Sequence, residues 1–278
     1  MINVLINGCN GCMGKVLETC IEQTQDMLVK YKIDKNTLLN FETLSSYSSK
    51  PDVIIDFSVP KATFLALDYA VCNLVPIVIA TTGFSNDELT KITEYSEAIP
   101  IFKASNMSFN INLICNILTK IAPLLSNMDI EIVEKHHSRK KDAPSGTAFM
   151  LADAINSSSK NKYTYVFDRH SSTSKRSNDE IGISSIRGGN LVGEHSVLFL
   201  GNNETIEIKH SAYSRTVYAE GALLAAKFIV NKKNGIYDMN NLINQTKWEV
   251  LKTSHFSLFI SRNFFLYWIN ANLFFIST

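Results

Sequence analysis

The sequence predicts an α/β protein with two domains, the first built on a parallel sheet and the second on a mixed or antiparallel sheet. Short apolar runs alternate with helical patterns over residues 2–102. Strands that are apolar on both faces are typical of a parallel sheet covered by helices. After residue 129 the runs alternate apolar and polar residues, as in a half-solvated sheet. The length of 278 residues also favours two domains.

The elements follow from the spacing of the apolar residues along the chain. In the first half we expect strands at residues 2–6, 28–33, 53–57, 76–80 and 99–102, and helices at 15–24, 63–73 and 87–98. In the second half we expect helices at 110–125, 146–155 and 219–230, strands at 129–134, 180–186, 195–200 and 205–210, and polar loops at 157–162 and 171–177.

The composition excludes several classes of protein. There are 27 Lys and Arg residues against 26 Asp and Glu, so no global charge attracts nucleic acid or an anionic membrane. The five cysteines are sparse and odd in number, which does not indicate a disulfide framework. The first seven residues lack the pattern of a signal peptide. We therefore expect a cytoplasmic protein that binds neither nucleic acid nor membrane.

A glycine cluster follows the first predicted strand and opens the first predicted helix. Its glycines are Gly8, Gly11 and Gly14, in a G-x-x-G-x-x-G pattern. Small residues let the backbone approach a pyrophosphate, and a helix N-terminus offers free amides to it. Asp34 ends the second predicted strand, where an acid can bind ribose hydroxyls, and Lys35 could meet a 2′-phosphate. The pattern predicts a dinucleotide-binding, Rossmann-type domain.

Other residues of this turn and two later loops complete the predicted cofactor site. The two loops follow strands at the edge where an open α/β sheet collects its ligands. A Cys-x-x-Cys pair within the turn can also indicate a redox pair or half a zinc site, but no second pair exists, so we expect no metal. The additional predicted cofactor-binding residues are Cys9, Asn10, Cys12, Met13, Ala80, Thr81, Thr82, Ala104, Ser105, Asn106 and Met107.

A basic loop leads directly into a predicted helix in the second half. Five of the six residues in 136–141 can carry positive charge. Ser145 is a good N-cap, and Gly146 and Thr147 then present their amides at the positive end of the helix. A basic run is most often a solvated surface, but here it runs into Pro-Ser-Gly-Thr. The combination predicts a site for one or two carboxylates or phosphates.

This segment carries a specific family resemblance. The run from Glu134 to Ala148 reads E-x-H-H-x-x-K-x-D-A-P-S-G-T-A and resembles the signature of 4-hydroxy-tetrahydrodipicolinate reductases. The glycine turn and the loops at 56–58, 80–83, 104–107, 186–189, 193–195, 214–215 and 219–222 are similar to that family too. The likeness covers residues 1–243. Cys12 stands where the family usually has a basic residue, so NADH and NADPH both stay open as cofactors.

The resemblance implies a reaction and a role for each residue of the loop. NADH or NADPH would reduce (2S,4S)-4-hydroxy-2,3,4,5-tetrahydrodipicolinate, a small cyclic dicarboxylate, to tetrahydrodipicolinate with loss of water, in lysine biosynthesis through diaminopimelate. His136 would donate or accept a proton, and Lys140 would be the second donor. His137, Gly146 and Thr147 would bind a substrate carboxylate. The family also implies a homotetramer assembled through the second sheet.

The predicted domains are therefore residues 1–107 for the dinucleotide, with 219–243 returning to it, and 108–218 for substrate and oligomerisation. Residues 244–278 are expected to form an atypical hydrophobic extension that packs loosely or stays disordered. Polar residues interrupt its apolar run before it reaches the length of a membrane span, so a membrane anchor is the less favoured alternative. Two rival functions remain open. Another Rossmann-type amino-acid or semialdehyde dehydrogenase would share only the first domain, and a non-catalytic nucleotide-binding protein would not need the loop residues.

Overall fold

The fold is taken from a computed structural model that describes residues 1–160, 162–167, 169–170 and 175–253, with the backbone alone over 247–253. Its strands are β1 (Ile2–Asn7), β2 (Met27–Ile33), β3 (Val53–Asp56), β4 (Ile77–Ile79), β5 (Pro100–Lys103), β6 (Asp129–His136), β7 (Thr164–Val166), β8 (Glu180–Arg187), β9 (Gly193–Leu200), β10 (Thr205–Ala212) and β11 (Gly235–Tyr237). Its helices are α1 (Cys12–Glu22), α2 (Phe41–Leu44), α3 (Pro60–Asn73), α4 (Asn86–Tyr95), α5 (Phe109–Ile121), α6 (Gly146–Ser158), α7 (Thr216–Ile229) and α8 (Met239–Thr253).

The first sheet is parallel, with six strands in the order β11-β5-β4-β3-β1-β2. Strands β3 and β4 are buried along their whole length. Alternate side chains such as Leu5, Ile54 and Ile77 pack with the core residues of α3. Phe102 contacts Phe228 of α7 through its ring. Because side chains alternate across a strand, both faces of the sheet are covered, as the apolar runs predict.

The position of β1 decides where a ligand can bind to this sheet. β1 pairs with β2 on one side and β3 on the other, so the chain leaves β1 in one direction and β3 in the opposite one. A crevice opens at the carboxyl ends of strands where the order reverses in this way. The glycine turn follows β1 directly, at that crevice.

The second sheet is mixed, in the order β10-β9-β6-β8-β7. β6 runs parallel to β8 and antiparallel to β9, and it alternates buried with half-buried residues. Its buried residues, including Ile130 and Ile132, pack with Leu118 of α5 and Leu151 of α6. The mixed sheet with one helix-covered face confirms the predicted fold class. It also places the end of β6 beside the start of α6.

Several boundaries differ from the predicted ones. Helix α1 begins at Cys12 rather than 15, because Gly11 is extended at its N-cap and the helix starts inside the glycine cluster. The predicted helix 110–125 is wrong at its end, since Pro123 lies in a 3₁₀ turn, Ala122–Leu125, that follows α5. Helix α6 continues through Ser158, which the prediction gave to a loop. The short elements α2, β7 and β11 were not predicted.

The chain divides into two units, Met1–Met239 and Asn240–Thr278. Both sheets belong to the first unit, where α7 packs on α1 and on β3, β4 and β5. The described part of the second unit is the rest of α8. The predicted extension from 254 onward lies outside the described residues. Within the described residues, no helix is long and apolar enough to cross a membrane.

Candidate active site

The glycine turn is held in a conformation that side chains would obstruct. Gly8 has φ +84°, in the left-handed region, and a Cβ there would lie 2.5 Å from the carbonyl oxygen of Phe57. A Cβ on Gly14 would overlap the carbonyl oxygen of Gly8. The backbone of the turn therefore packs closely on both β3 and the first turn of α1. The first amides of α1 begin directly beyond Gly11, which fits a pyrophosphate.

A first cavity extends from this turn along the end of β2. Gly8, Gly11, Asp34 and Lys35 line it, with Phe41 and Lys61 among the residues that the sequence did not predict. The Asp34 carboxylate accepts a hydrogen bond from the backbone amide of Asn10 at 3.1 Å. The turn and the acid are thus joined directly. The binding of an adenosine ribose by this carboxylate stays a prediction.

A buried carboxylate organises the edge of the first sheet. Asp56 is fully buried and accepts hydrogen bonds from Asn7 (2.8 Å), Ser58, Thr63 (2.6 Å) and Thr81 (2.9 Å). Burial raises the pKa of Asp56, and the four hydrogen bonds oppose that rise. The cluster joins β1, β3, α3 and the loop after β4. The Thr81 hydroxyl also accepts from the Ser58 amide, so it is engaged here and not turned to a cofactor.

A second cavity lies beside the turn, at the ends of β3, β4 and β5. Met13, Ala80, Ser105, Asn106 and Met107 line it as predicted, together with Phe57, Arg215 and Tyr218. A Cβ on Gly221 of α7 would overlap the carbonyl oxygen of Met107, so only glycine allows this approach of α7 to the loop. Arg215 reaches across to Cys12 in the turn, with Nη1 2.6 Å from Sγ.

A third cavity continues from the second into the basic loop. Its predicted residues are Thr82, Ser105, Asn106, His136, His137, Lys140, Gly146 and Thr147. Ser105, Asn106, Arg215 and Tyr218 line both cavities, which makes them one continuous cleft. Asn106 Nδ2 donates to Thr147 Oγ1 at 3.0 Å. The structure therefore brings the predicted cofactor loop into direct contact with the predicted carboxylate site.

His136 is oriented from behind by a buried acid. Glu134, fully buried on β6, lies with Oε2 2.5 Å from His136 Nδ1. Burial raises the pKa of Glu134, but hydrogen bonds from Arg187, Ser185 and His136 outweigh it and hold the pKa at about 2. A carboxylate at this position requires a hydrogen on Nδ1. The other ring nitrogen, Nε2, is then the one that exchanges a proton.

The surroundings of His136 lower the pKa of its imidazole. Burial lowers the pKa of His136, and the charges of Lys140 and Arg187 add to that effect. The neighbouring carboxylate of Glu134 works in the opposite direction. The pKa stays below the ordinary histidine value, so Nε2 is an acceptor in the free protein.

The remaining loop residues face the same cavity. Lys140 Nζ donates to both oxygens of Asp142, at 2.8 and 2.7 Å. His137 Nδ1 is buried and has no hydrogen-bond partner among the described residues. Ser145 caps α6 by accepting from the amide of Ala148 at 3.2 Å. Gly146 is exposed at the first position of the helix, with nothing near a Cβ there. Cations and free amides thus face one space.

Both halves of the chain match models of one protein family. Family models described as dihydrodipicolinate reductase, N-terminus and C-terminus, match residues 2–107 and 110–243. The chain belongs to the dihydrodipicolinate reductase family. The 4-hydroxy-tetrahydrodipicolinate reductase of Caldanaerobacter subterraneus subsp. tengcongensis is 47% identical over 249 residues, covering 88% of this chain and 99% of the relative. That of Clostridium tetani is 44% identical over 250 residues, covering 88% and 98%.

A solved structure of the family agrees with the fold. The dipicolinate-bound dihydrodipicolinate reductase of Paenisporosarcina sp. TG-14 superposes with a TM-score of 0.72 at 25% identity, covering 86% of this chain and 97% of the other. In this member of the reductase family, the described residues hold no group of three or more His, Cys, Asp or Glu side chains that could bind a metal ion.

The family site contains residues to which the sequence reasoning gave no role. Arg187, His195, Arg215 and Tyr218 stand in or behind the cleft, far from the signature segment in the chain. Arg187 and His195 lie opposite β6 residues through the sheet register. Among the predicted cofactor residues, Cys9 is buried and the hydroxyl of Thr81 donates to Asp56, and a cofactor role for both stays a prediction. The motifs that contain Arg187 and His195 are visible in the sequence, but the strand pairing that positions these two residues is not.

Proposed function

We propose that this chain is the NADH- or NADPH-dependent reductase that converts (2S,4S)-4-hydroxy-2,3,4,5-tetrahydrodipicolinate to (S)-2,3,4,5-tetrahydrodipicolinate, with loss of water, in lysine biosynthesis. The observation that carries the proposal is the continuous cleft, in which His136, Lys140 and Thr147 lie beside the loop Ser105–Asn106 next to the glycine turn. The names of the relatives support the same reaction, and the matched region covers nearly the whole length of each relative.

The cofactor would lie along the carboxyl edge of the first sheet. The fit rests on the turn, where glycine at positions 8 and 14 lets the backbone fold tightly against Phe57 and α1 and brings the first amides of α1 to its edge. Asn10, Gly11, Cys12 and the first amides of α1 would hold the pyrophosphate. Asp34 would bind the adenosine ribose, with Lys35 beside it, and the nicotinamide end would lie among Ala80, Thr82, Ala104, Ser105 and Met107. A bound nicotinamide supplies the hydride.

The substrate is a ring with two carboxylates, and the third cavity matches that charge. Lys140 and His137 supply positive charge or hydrogen-bond donors, while Gly146 and Thr147 offer amides at the N-terminus of α6. His137 Nδ1, which is buried and unpaired among the described residues, is a ready partner for a carboxylate oxygen. A dianion would release Lys140 from Asp142 or share it with that acid.

A proton must reach the ring once the hydride has arrived, and His136 is placed to provide it. His136 lines the cavity, and because Glu134 holds Nδ1, the other ring nitrogen, Nε2, is the one left to exchange a proton. The incoming dianion favours the protonated imidazole, so His136 gains the proton when the substrate binds and then donates it. Lys140 is the second donor and stabilises negative charge on the ring.

The decisive experiment is the oxidation of NADH and NADPH, followed at 340 nm, in parallel assays with freshly made substrate. His136→Ala and Lys140→Ala should each lower kcat by about 10²-fold or more while the affinity for the cofactor persists. Lys120→Ala, at an exposed position on α5, is the matched control. A wild-type protein that reduces an amino acid or semialdehyde instead, or unchanged turnover in both site variants, would contradict the proposal.

We also propose that the chain is a cytoplasmic homotetramer assembled through the mixed sheet, with residues 1–107 and 108–218 as its two domains and 219–243 returning to the first. The face of the mixed sheet away from α5 and α6 carries the exposed side chain of Ile186. Light scattering after size exclusion gives the subunit number directly. A monomer at micromolar concentration would refute the tetramer and leave the reaction untouched.

A further inference from the structure

Arg187 occupies the end of β8, directly across the sheet from His136. The register of the two parallel strands pairs these residues. Its guanidinium donates from Nη1 to Glu134 Oε2 at 2.8 Å and from Nη2 to Glu134 Oε1 at 2.7 Å. Nη2 also donates to the backbone oxygen of Asp142 at 2.6 Å. One side chain therefore ties the acid behind His136 to the end of the basic loop.

The two hydrogen bonds from the Arg187 guanidinium fix how the Glu134 carboxylate is oriented toward His136. A bidentate arginine fixes the plane of a carboxylate and takes one lone pair on each oxygen. The amide of Ser145 donates to Oε1 at 3.2 Å, so Oε2 is left for the imidazole. On the far side, a Cβ at Gly193 would lie 3.0 Å from His136 Nε2. The ring is held between the acid and a position where only glycine leaves Nε2 unobstructed.

We propose that Arg187 is a positioning residue for His136, acting through Glu134, and that it keeps the buried acid from drawing a proton onto the ring before the substrate arrives. The inference deepens the proposed function and rests on His136 as the proton donor. Arg187 does not need to touch the substrate for this role. Its charge balances Glu134, which would otherwise be a buried anion with only His136 to neutralise it.

The other groups around His136 do not provide that balance. Lys140 is paired with Asp142 at 2.7 Å. His195, on β9, packs its ring 5.1 Å from that of His136, and burial lowers its pKa to about 4. The Ser145 hydroxyl accepts from the first turn of α6, so its hydrogen is free to donate to His195 Nε2, 2.8 Å away. His195 is thus neutral, and Arg187 is the cation that faces Glu134.

The test compares Arg187→Met with Glu134→Gln, because the two substitutions should shift the pKa of His136 in opposite directions. Without the guanidinium, the unbalanced carboxylate should raise the pKa of His136. Without the carboxylate, the nearby cations should lower it further. In the double variant the arginine substitution should lose most of its effect, since Arg187 acts through the acid. The readout is an NMR titration of the His136 imidazole nitrogens, which requires no turnover.

Arg169→Met is the matched control, since Arg169 pairs with Glu131 and Glu180 on the same sheet but not with His136. Arg187→Lys serves if the Met variant does not fold, because an ammonium keeps the charge and loses the fork. It should leave the pKa near wild type and still lower kcat by about tenfold through misplaced geometry. KM should change little.

The results separate the inference from the proposed function. A His136 titration that is identical in wild type, Arg187→Met and Arg187→Lys, with unchanged kcat, would overturn the positioning role. An upward shift in Arg187→Met with a downward shift in Glu134→Gln supports it, even if the wild type fails to reduce the dicarboxylate. That last failure would refute only the proposed reaction.

Discussion

The buried carboxylate of Asp56 should make the stability of this protein depend on pH in an unusual direction. Burial raises the pKa of Asp56 above the ordinary value of an aspartate, so the folded protein binds a proton that the unfolded chain releases. For a raised acid, the favourable contribution is complete below the unfolded pKa and is lost as the pH rises toward the folded one. Most carboxylates have the opposite effect.

The perturbation is Asp56→Asn, which keeps the shape and removes the titration. Where only the folded state holds the proton, linkage gives a slope of about 1.4 kcal/mol per pH unit for one group. The free energy of unfolding of the wild type, measured against that of the variant, should therefore fall by about this amount per unit as the pH rises from 4. It should become constant above the folded pKa.

Urea unfolding at a series of pH values between 4 and 8 measures this difference, at one protein concentration for all samples. Other groups titrate equally in both proteins and cancel. Asp87→Asn, exposed in the first turn of α4, is the matched control. The reasoning would be refuted if the difference in free energy of unfolding between wild type and Asp56→Asn stayed constant over this range or rose with pH. Either result would show that the four hydrogen bonds lower the pKa of Asp56 at least as much as burial raises it.

Three further predictions concern the cleft. Gly14→Ala should weaken cofactor binding by at least about tenfold in a fluorescence titration, because its Cβ would overlap the carbonyl of Gly8. Gly188→Ala is the control, since Gly188 has open space around it and the variant should bind the cofactor normally. Equal affinities of the two variants would contradict the assignment of the turn to the cofactor. Binding of dipicolinate near pH 7 should take up as much as one proton at His136, whose pKa is lowered in the free protein. Calorimetry in buffers of different ionisation enthalpy measures that uptake, and a zero slope would argue against it. Ser145→Ala should lower the free energy of unfolding by about 1–3 kcal/mol, because α6 loses its N-cap and the buried imidazole of His195 loses its partner. An unchanged midpoint in urea unfolding would count against both contacts.

The sequence was informative wherever the signal is local. Apolar runs between helical patterns predict the parallel sheet because burial on both faces leaves no polar positions. The loop from His136 to Thr147 is also local, since a strand end, a cationic run and a helix cap follow one another. Their proximity in space follows from their proximity in the chain.

The residues that the sequence did not assign depend on pairing between distant strands. Arg187 meets Glu134 because β8 lies beside β6 in one particular register, and His195 lies opposite Glu134 because β9 runs on the other side. A shift of one residue would turn each side chain to the other face of the sheet. The hydrogen bond from the Thr81 hydroxyl to Asp56 was not predicted for a related reason, because its acceptor lies on a neighbouring strand.

The hydrogen bond from Asn106 to Thr147 joins the proposed cofactor site to the proposed substrate site. If the nicotinamide contacts Asn106 and the dicarboxylate contacts Thr147, as proposed, ordering one side chain should change the free energy of binding at the other. Linkage requires the effect to be reciprocal: dipicolinate must alter the dissociation constant of the nicotinamide by the same factor by which the nicotinamide alters that of dipicolinate. Asn106→Ala should bring that shared factor closer to one, whichever ligand enters first.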